Sequence, residues 1–313
     1  VAALGGKVTA DYVENVNEDQ SAIPVIRDLA KSGHKLIFTT SFGYMDQTLT
    51  VAKEFPDVKF EHCTGFKRAD NVATYNNRFH EGRAALGVIA AMLSKTGTIG
   101  YLGSFKVPEV VMGVDSFTLA AQSVNPKIKV KLVMIDSWFD PAKESAAAET
   151  LANLGCDVIT THTDSPAALQ VCEKKKIYGF GQGADMSRFA PHAHMTAVLD
   201  LWGKYYTSRA KAVLDGTWKS EDTWWGVKDG AVALDFRLPT YWCSPNFAFL
   251  MLDGVRAALE ALPWRPRANI TLHDHLFADE VNEGLAAGKR FPEIFAELAP
   301  GEDLDALREK FRM

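Results

Sequence analysis

The chain has 313 residues, 47% of them hydrophobic, with a net charge near -5 and a pI near 5.9. That length and apolar fraction allow two domains with substantial cores. The acidic balance argues against a protein that coats nucleic acid. No low-complexity tract, internal repeat, signal peptide or bilayer-length apolar run is visible.

Taken in chain order, the opening "VAALGGKVTADYV" reads as a helix end, a glycine cap and a strand over Lys7–Glu14. Strands are expected at Lys35–Thr40, Val58–Thr64, Thr98–Gly103, Lys129–Asp136, Val158–His162 and Tyr178–Gly181. Helices fall between them at Ala22–Ser32, Met45–Phe55, Phe79–Ser94, Pro108–Val124, Pro141–Leu154 and Pro166–Lys175, with another at Trp202–Leu214. Short apolar strands alternating with amphipathic helices imply βαβ units and mainly parallel sheets, with helices on both faces. A boundary is expected at "SKTGTIGYLGS" and a return crossing at "HMTAVLDLWGKYY". Two α/β lobes joined in this way enclose a cleft, a common ligand site. After about Lys228 the pattern becomes α+β: an alternating strand over Ala231–Leu238, an amphipathic helix over Phe247–Leu262, a strand in "RANITLHDH" and two polar helices.

Open α/β sheets bind ligands beyond the carboxyl ends of their strands. The expected loops there carry Phe42 and Tyr44, then Trp138, then His162 and Asp164, then Gly183 and Asp185, and finally Asp200 and Trp202. Aromatic rings grip the faces of a flat heterocycle, and carboxylates accept hydrogen bonds from its N–H groups. A purine suits that set. Each residue also has a plainer reading: Asp164 and Asp185 as helix caps, Trp138 as core, His162 as a satisfied structural histidine, and Asp200 with Trp202 as a helix start and its packing residue. Recurrence at successive strand ends favours a ligand site. No nucleophile elbow, Walker loop, zinc-protease motif or dinucleotide fingerprint is present, so no catalytic residues are assigned. The four cysteines are scattered without a CxxC pair, which excludes a zinc site or disulfide framework. Cys63, Cys156 and Cys172 read as core fillers.

The stretches "FTTSFGYMDQTLTVAKEFPDVKFEH", "YNNRFHEGRAALGVIAAMLSKTGTIGYLGS", "DSWFDPAKESAAAETLANLGCDVIT" and "GADMSRFAPHAHMTAVLDLWGKYY" resemble the basic membrane lipoprotein family over about residues 1–230. These are type I periplasmic solute-binding proteins of ABC importers, many of them purine or nucleoside receptors. The resemblance implies two three-layer parallel-sheet lobes: residues 1–96 with 196–228, and residues 97–195. It also implies a first strand that would precede Val1. Trp138 falls at the family's stacking aromatic, Gly183 and Asp185 at its "G-x-D" pair, and Asp200 where nucleoside receptors often carry lysine. The implied ligand is a purine base or nucleoside, a free base such as adenine being favoured, captured between the lobes, with an ABC permease as partner and no cofactor or metal. A periplasmic or lipid-anchored location follows. The segment 229–313 is expected as an α+β tail docked on the first lobe. Part of it, "DGAVALDFRLPTYWCSPNFAFLMLDGVRAALEALPWRPRANITL", resembles the second half of the MIP18-like iron–sulfur assembly domain, with Cys243 at its loop cysteine. A purine-processing enzyme and an iron–sulfur assembly factor stand as alternative functions.

Overall fold

The computed structural model describes residues 1–237, 252–257, 260–261, 270–273, 275–301, 303, 304, 306 and 309. The chain divides into two units: Val1–Arg78 with Leu201–Ala231, and Phe79–Asp200 with Val232–Met313. Cys243 and half of the expected helix 247–262 lie outside the described residues.

The first unit holds a parallel sheet in the order β1 (Leu36–Thr39), β2 (Lys59–Cys63), β3 (Val72–Asn77), β9 (Asp222–Trp225). Helix α1 (Ala22–Lys31) buries Ala22, Ile26 and Ala30, a single stripe of i, i+4, i+8 spacing. That stripe meets Val51 and Ala52 of α2 (Met45–Glu54) and Phe60 of β2 in one apolar cluster. Helix α7 (Gly203–Leu214) brings Tyr205 and Tyr206 to a second, aromatic cluster. There Tyr75 stacks on Tyr205 at 4.7 Å and meets Trp202 edge-on at 4.9 Å.

The expected strand over Lys7–Glu14 is absent: these residues are not in a strand, and Tyr12 and Val13 are exposed. Alternation makes a segment competent for a sheet, but a strand needs a partner edge, and no described strand pairs with it. The glycine cap that precedes it does form, with Gly5 in the left-handed region at φ 59°. Strands β3 and β9 were not foreseen. Each is short or interrupted by asparagines, and each is fixed by its neighbours rather than by its own pattern.

The second unit holds β4 (Thr98–Gly103), β5 (Lys129–Met134), β6 (Val158–His162), β7 (Tyr178–Gly183) and β8 (His194–Asp200), with β10 (Val232–Arg237) and β11 (Ile270–His273). Their order is β11-β10-β8-β7-β6-β4-β5, and only the β8–β10 pairing is antiparallel. Successive strand residues face opposite sides. Leu102 and Ile159 join Ala148, Leu151 and Leu169 of α5 (Pro141–Asn153) and α6 (Ala167–Lys175). Tyr101 and Thr160 point the other way, to Phe117 of α4 (Pro108–Val124) and Arg83 of α3 (Phe79–Leu93). Helices α3 and α4 approach so closely that a Cβ on Gly87 would lie 2.2 Å from the Phe117 carbonyl oxygen. Asp140 caps α5 by accepting from the Lys143 amide at 3.0 Å, with Pro141 in the first turn. Helices α8 (Ala278–Ala286) and α9 (Phe291–Leu298) complete the described part, and Asn282 of α8 exchanges two hydrogen bonds with the Leu272 backbone of β11.

Helix 79–93 groups with the second unit, so the division between the units falls at residue 78, where 96 was expected: its buried Ala84, Leu86 and Val88 pack with α4 and the larger sheet. β10 extends the second unit's sheet beside β8, with Leu234 opposite Val198, which gives its buried Val232 and Leu234 a covered face. Cys63, Cys156 and Cys172 are buried and form no disulfide, and burial pushes the Cys156 thiol up to about 11 and the Cys172 thiol up to about 12.

Candidate functional site

In the second unit, the ends of five strands, β4 to β8, carry a set of polar and aromatic groups. Asp136 follows β5 with φ 50°, a left-handed turn that aspartate tolerates, and its amide donates to the Ser104 carbonyl after β4 at 3.0 Å. That turn lifts Trp138 out of the strand line. The Trp138 ring lies 5.4 Å from Phe105 and 6.5 Å from His162, tilted to both, and stays half-buried. The Asp164 amide donates to the Trp138 carbonyl at 2.9 Å and ties the β5 loop to the β6 loop. Phe105 comes from a loop, "SFKVPE", in which the sequence pattern alone marked nothing.

His162 is buried. Its Nδ1 shares a hydrogen bond with the Tyr101 hydroxyl at 3.1 Å, and Phe79 meets the ring edge-on at 5.1 Å. Burial, reinforced by the Arg83 guanidinium, holds its pKa well below the ordinary range. It is a neutral wall of the site, not an acid or base near neutral pH. Ser104 is fully buried, and its hydroxyl has no partner among the described residues.

At the end of β7, Gly183 adopts φ 72°, and a Cβ there would stand 3.5 Å from an Asp200 carboxylate oxygen. The Gly183 backbone and the half-buried Asp200 are thus neighbours at the ends of β7 and β8. Asp185 is exposed and accepts from the Ser187 amide at 2.8 Å, so one of its oxygens is engaged by its own loop ahead of the short turn over Ser187–Phe189. Asp164 is also exposed, and the first turn of α6 has no carboxylate cap.

The remaining sequence-predicted residues lie in the first unit. Phe42 is half-buried, with its ring 6.4 Å from that of Phe66, an exposed aromatic from the loop after β2 that the sequence reading missed. Thr64, at φ 61°, begins that loop in a conformation costly for a β-branched residue. Tyr44 packs against the α1–α2 apolar cluster and donates to the Val16 carbonyl, so its ring is already engaged. Trp202 sits in the aromatic cluster against Tyr75 and Tyr206. Beneath Phe42, buried His62 shares a hydrogen bond with the Thr39 hydroxyl at 2.9 Å, and Thr48 donates to that hydroxyl at 3.0 Å. Burial lowers His62 to about 4.

Among the described residues, no cluster of three or more His, Cys, Asp or Glu side chains is placed to hold a metal ion. No described helix is long and apolar enough to cross a membrane.

Comparison with known proteins agrees with this architecture. A family model described as ABC transporter substrate-binding protein PnrA-like (Bmp) matches residues 5–244, past the boundary expected at 228. The chain is 58% identical over 234 residues to a purine-binding protein, BAB2_0673, of Brucella abortus, covering 75% of this chain and 67% of that one. It is 28% identical over 151 residues to the ABC transporter nucleoside-binding protein BmpA of Lactococcus lactis, covering 48% of this chain and 40% of that one. An ABC transporter solute-binding protein from Aeropyrum pernix superposes with a TM-score of 0.63 at 17% identity, over 94% of this chain and 80% of that chain. That likeness carries the fold, a type I periplasmic-binding architecture. The chain belongs to the Bmp family of PnrA-like ABC transporter substrate-binding proteins.

Proposed function

We propose that this chain captures a purine base, adenine or a close analogue, and presents it to an ABC importer on the outer side of the cytoplasmic membrane. The observation that carries the reading is the 58% identity to a purine-binding protein across three quarters of the chain. The second unit supports it. Trp138 and Phe105 offer ring faces for a flat heterocycle, and Asp200 brings a carboxylate to the end of β8. Stacking is tolerant of base identity, so the polar groups around the rings set the selectivity.

The same reading makes the chain a carrier without catalysis. His162 is held neutral and is engaged with Tyr101, so it is a poor proton shuttle. Isothermal titration of the purified chain with adenine tests the proposal: saturable one-to-one binding is expected, with adenine recovered chemically unchanged. Absence of binding to adenine, hypoxanthine and adenosine alike would overturn it.

A further inference from the structure

One fully buried cation in the second unit has so far appeared only as a neighbour of His162. Arg83 of α3 has no exposed surface. One terminal nitrogen donates to the Thr160 hydroxyl at 3.0 Å, and the guanidinium lies 5.6 Å from the centre of the Tyr101 ring. No carboxylate stands within ion-pair distance of it among the described residues. Asp200 compensates its charge only through space. The other terminal nitrogen donates to the side-chain carbonyl of Gln182, the penultimate residue of β7.

That last contact has a chemical consequence. A guanidinium is a donor only, so it accepts nothing from an amide nitrogen. The Gln182 carboxamide is therefore locked with its oxygen toward Arg83 and its NH2 group turned away. Gln182 is half-buried, and no described acceptor takes that NH2. Val198 pairs with Gln182, and Asp200 lies two residues further along β8, so the Gln182 and Asp200 side chains leave the same face of the sheet.

We infer that Gln182 is a ligand-reading residue whose NH2 donates to a ring nitrogen of the bound base, with Arg83 as the positioning residue that fixes the amide. This deepens the purine reading and rests on it. A fixed donor beside a carboxylate acceptor matches a heterocycle edge with an exocyclic amino group next to an unprotonated ring nitrogen. A 6-aminopurine has that edge. A 6-oxopurine sets its carbonyl oxygen against the carboxylate, and on one edge it also sets a protonated ring nitrogen against the amide NH2. The mismatch leaves polar groups unpaired or opposed, the situation that gives strong discrimination.

The test is titration of the wild type, Gln182→Leu, Gln182→Glu and Arg83→Lys with adenine, hypoxanthine, 1-deazaadenine, 3-deazaadenine and 7-deazaadenine. Wild type should prefer adenine to hypoxanthine and should bind one deaza analogue about 10- to 100-fold more weakly than adenine. Gln182→Leu should lose a similar factor for adenine and no longer distinguish that analogue. Gln182→Glu, which keeps an acceptor for Arg83 but removes the donor, should behave like Gln182→Leu. Arg83→Lys should lower the discrimination without abolishing adenine binding. Because Gln182 is half-buried, its variants keep the test decisive should Arg83→Lys fold poorly. Gln182→Leu with the wild-type ranking intact would overturn the inference while leaving purine capture standing. Equal affinity of wild type for adenine and all three deaza analogues would do the same. A wild type that bound no purine would instead remove the functional reading itself.

Discussion

Replacing Glu61 by alanine removes an acceptor on which three side chains of the first unit converge. Glu61 is fully buried at 0% exposure on β2. It accepts from the Tyr205 hydroxyl at 2.6 Å, the Trp218 indole N–H at 2.6 Å and Arg209 Nε at 2.5 Å. Those donors come from α7 and the segment after it, so one carboxylate ties the returning chain to the sheet. The loss is bounded from the structure. Tyr205 is 1% exposed, and its hydroxyl would lose its charged acceptor and keep only the Thr223 side chain, at about 1–3 kcal/mol. Trp218 is half-buried and can reach water, so it contributes little. Arg209 keeps Glu221 and the Lys219 carbonyl, which limits the cost of its lost partner. The sum falls at about 2–4 kcal/mol, at or below the range for breaking a buried ion pair from one side. With a slope of about 2–3 kcal/mol per molar urea, the midpoint of the first unit should drop by about 1–2 M. Glu61→Gln, which retains an acceptor oxygen but not the charge, should cost less, about 1–3 kcal/mol. Urea unfolding followed by tryptophan fluorescence reads both variants. A midpoint for Glu61→Ala within about 0.3 M of wild type would refute the argument that this network pins the segment.

Trp138→Ala should weaken adenine binding by about 1–3 kcal/mol with the circular dichroism spectrum retained, and unchanged affinity would take the ring out of the site. Buried His62, lowered to about 4, refuses a proton that the unfolded chain takes up near 6.5. Its contribution therefore reduces stability as pH falls from about 6.5 to about 4, by about 3 kcal/mol across the window. His62→Gln should flatten that slope in denaturant midpoints compared at pH 7 and pH 5, and an unaltered slope would contradict the assignment. Gly87→Ala forces a methyl against the Phe117 backbone and should destabilise the second unit by about 1–3 kcal/mol in urea, whereas a neutral effect would show that α3 and α4 separate freely.

Much of the fold was legible because the apolar periods were strong. The helix Pro108–Val124 and the strands Thr98–Gly103 and Val158–His162 were read to the residue. The misses share a cause: strands defined by a partner rather than by their own composition. "VATYNN" ends in two asparagines and "DTWW" has four residues, yet each pairs in parallel within the first sheet. "KVTADYVE" alternates correctly and still forms no strand, since no edge receives it. The unit boundary was misjudged because a helix's apolar stripe says that it packs, not on which sheet. Around the candidate site, the loops with Trp138, His162 and Asp200 could be found from their place after apolar strands. Phe66, Phe105 and Gln182 could not, because nothing local separates them from ordinary loop or strand residues. Arg83 was hidden for the opposite reason. It stands within an apolar helix run, where only the structure shows that a buried cation holds an amide.

The central claim is that this Bmp-family chain selects a purine base. The most direct measurement is a calorimetric titration of the intact chain with adenine, followed by adenosine and glucose under the same conditions. The account predicts saturable one-to-one binding of adenine, weaker binding of adenosine and no heat from glucose. Saturable binding of glucose with none of adenine would contradict it.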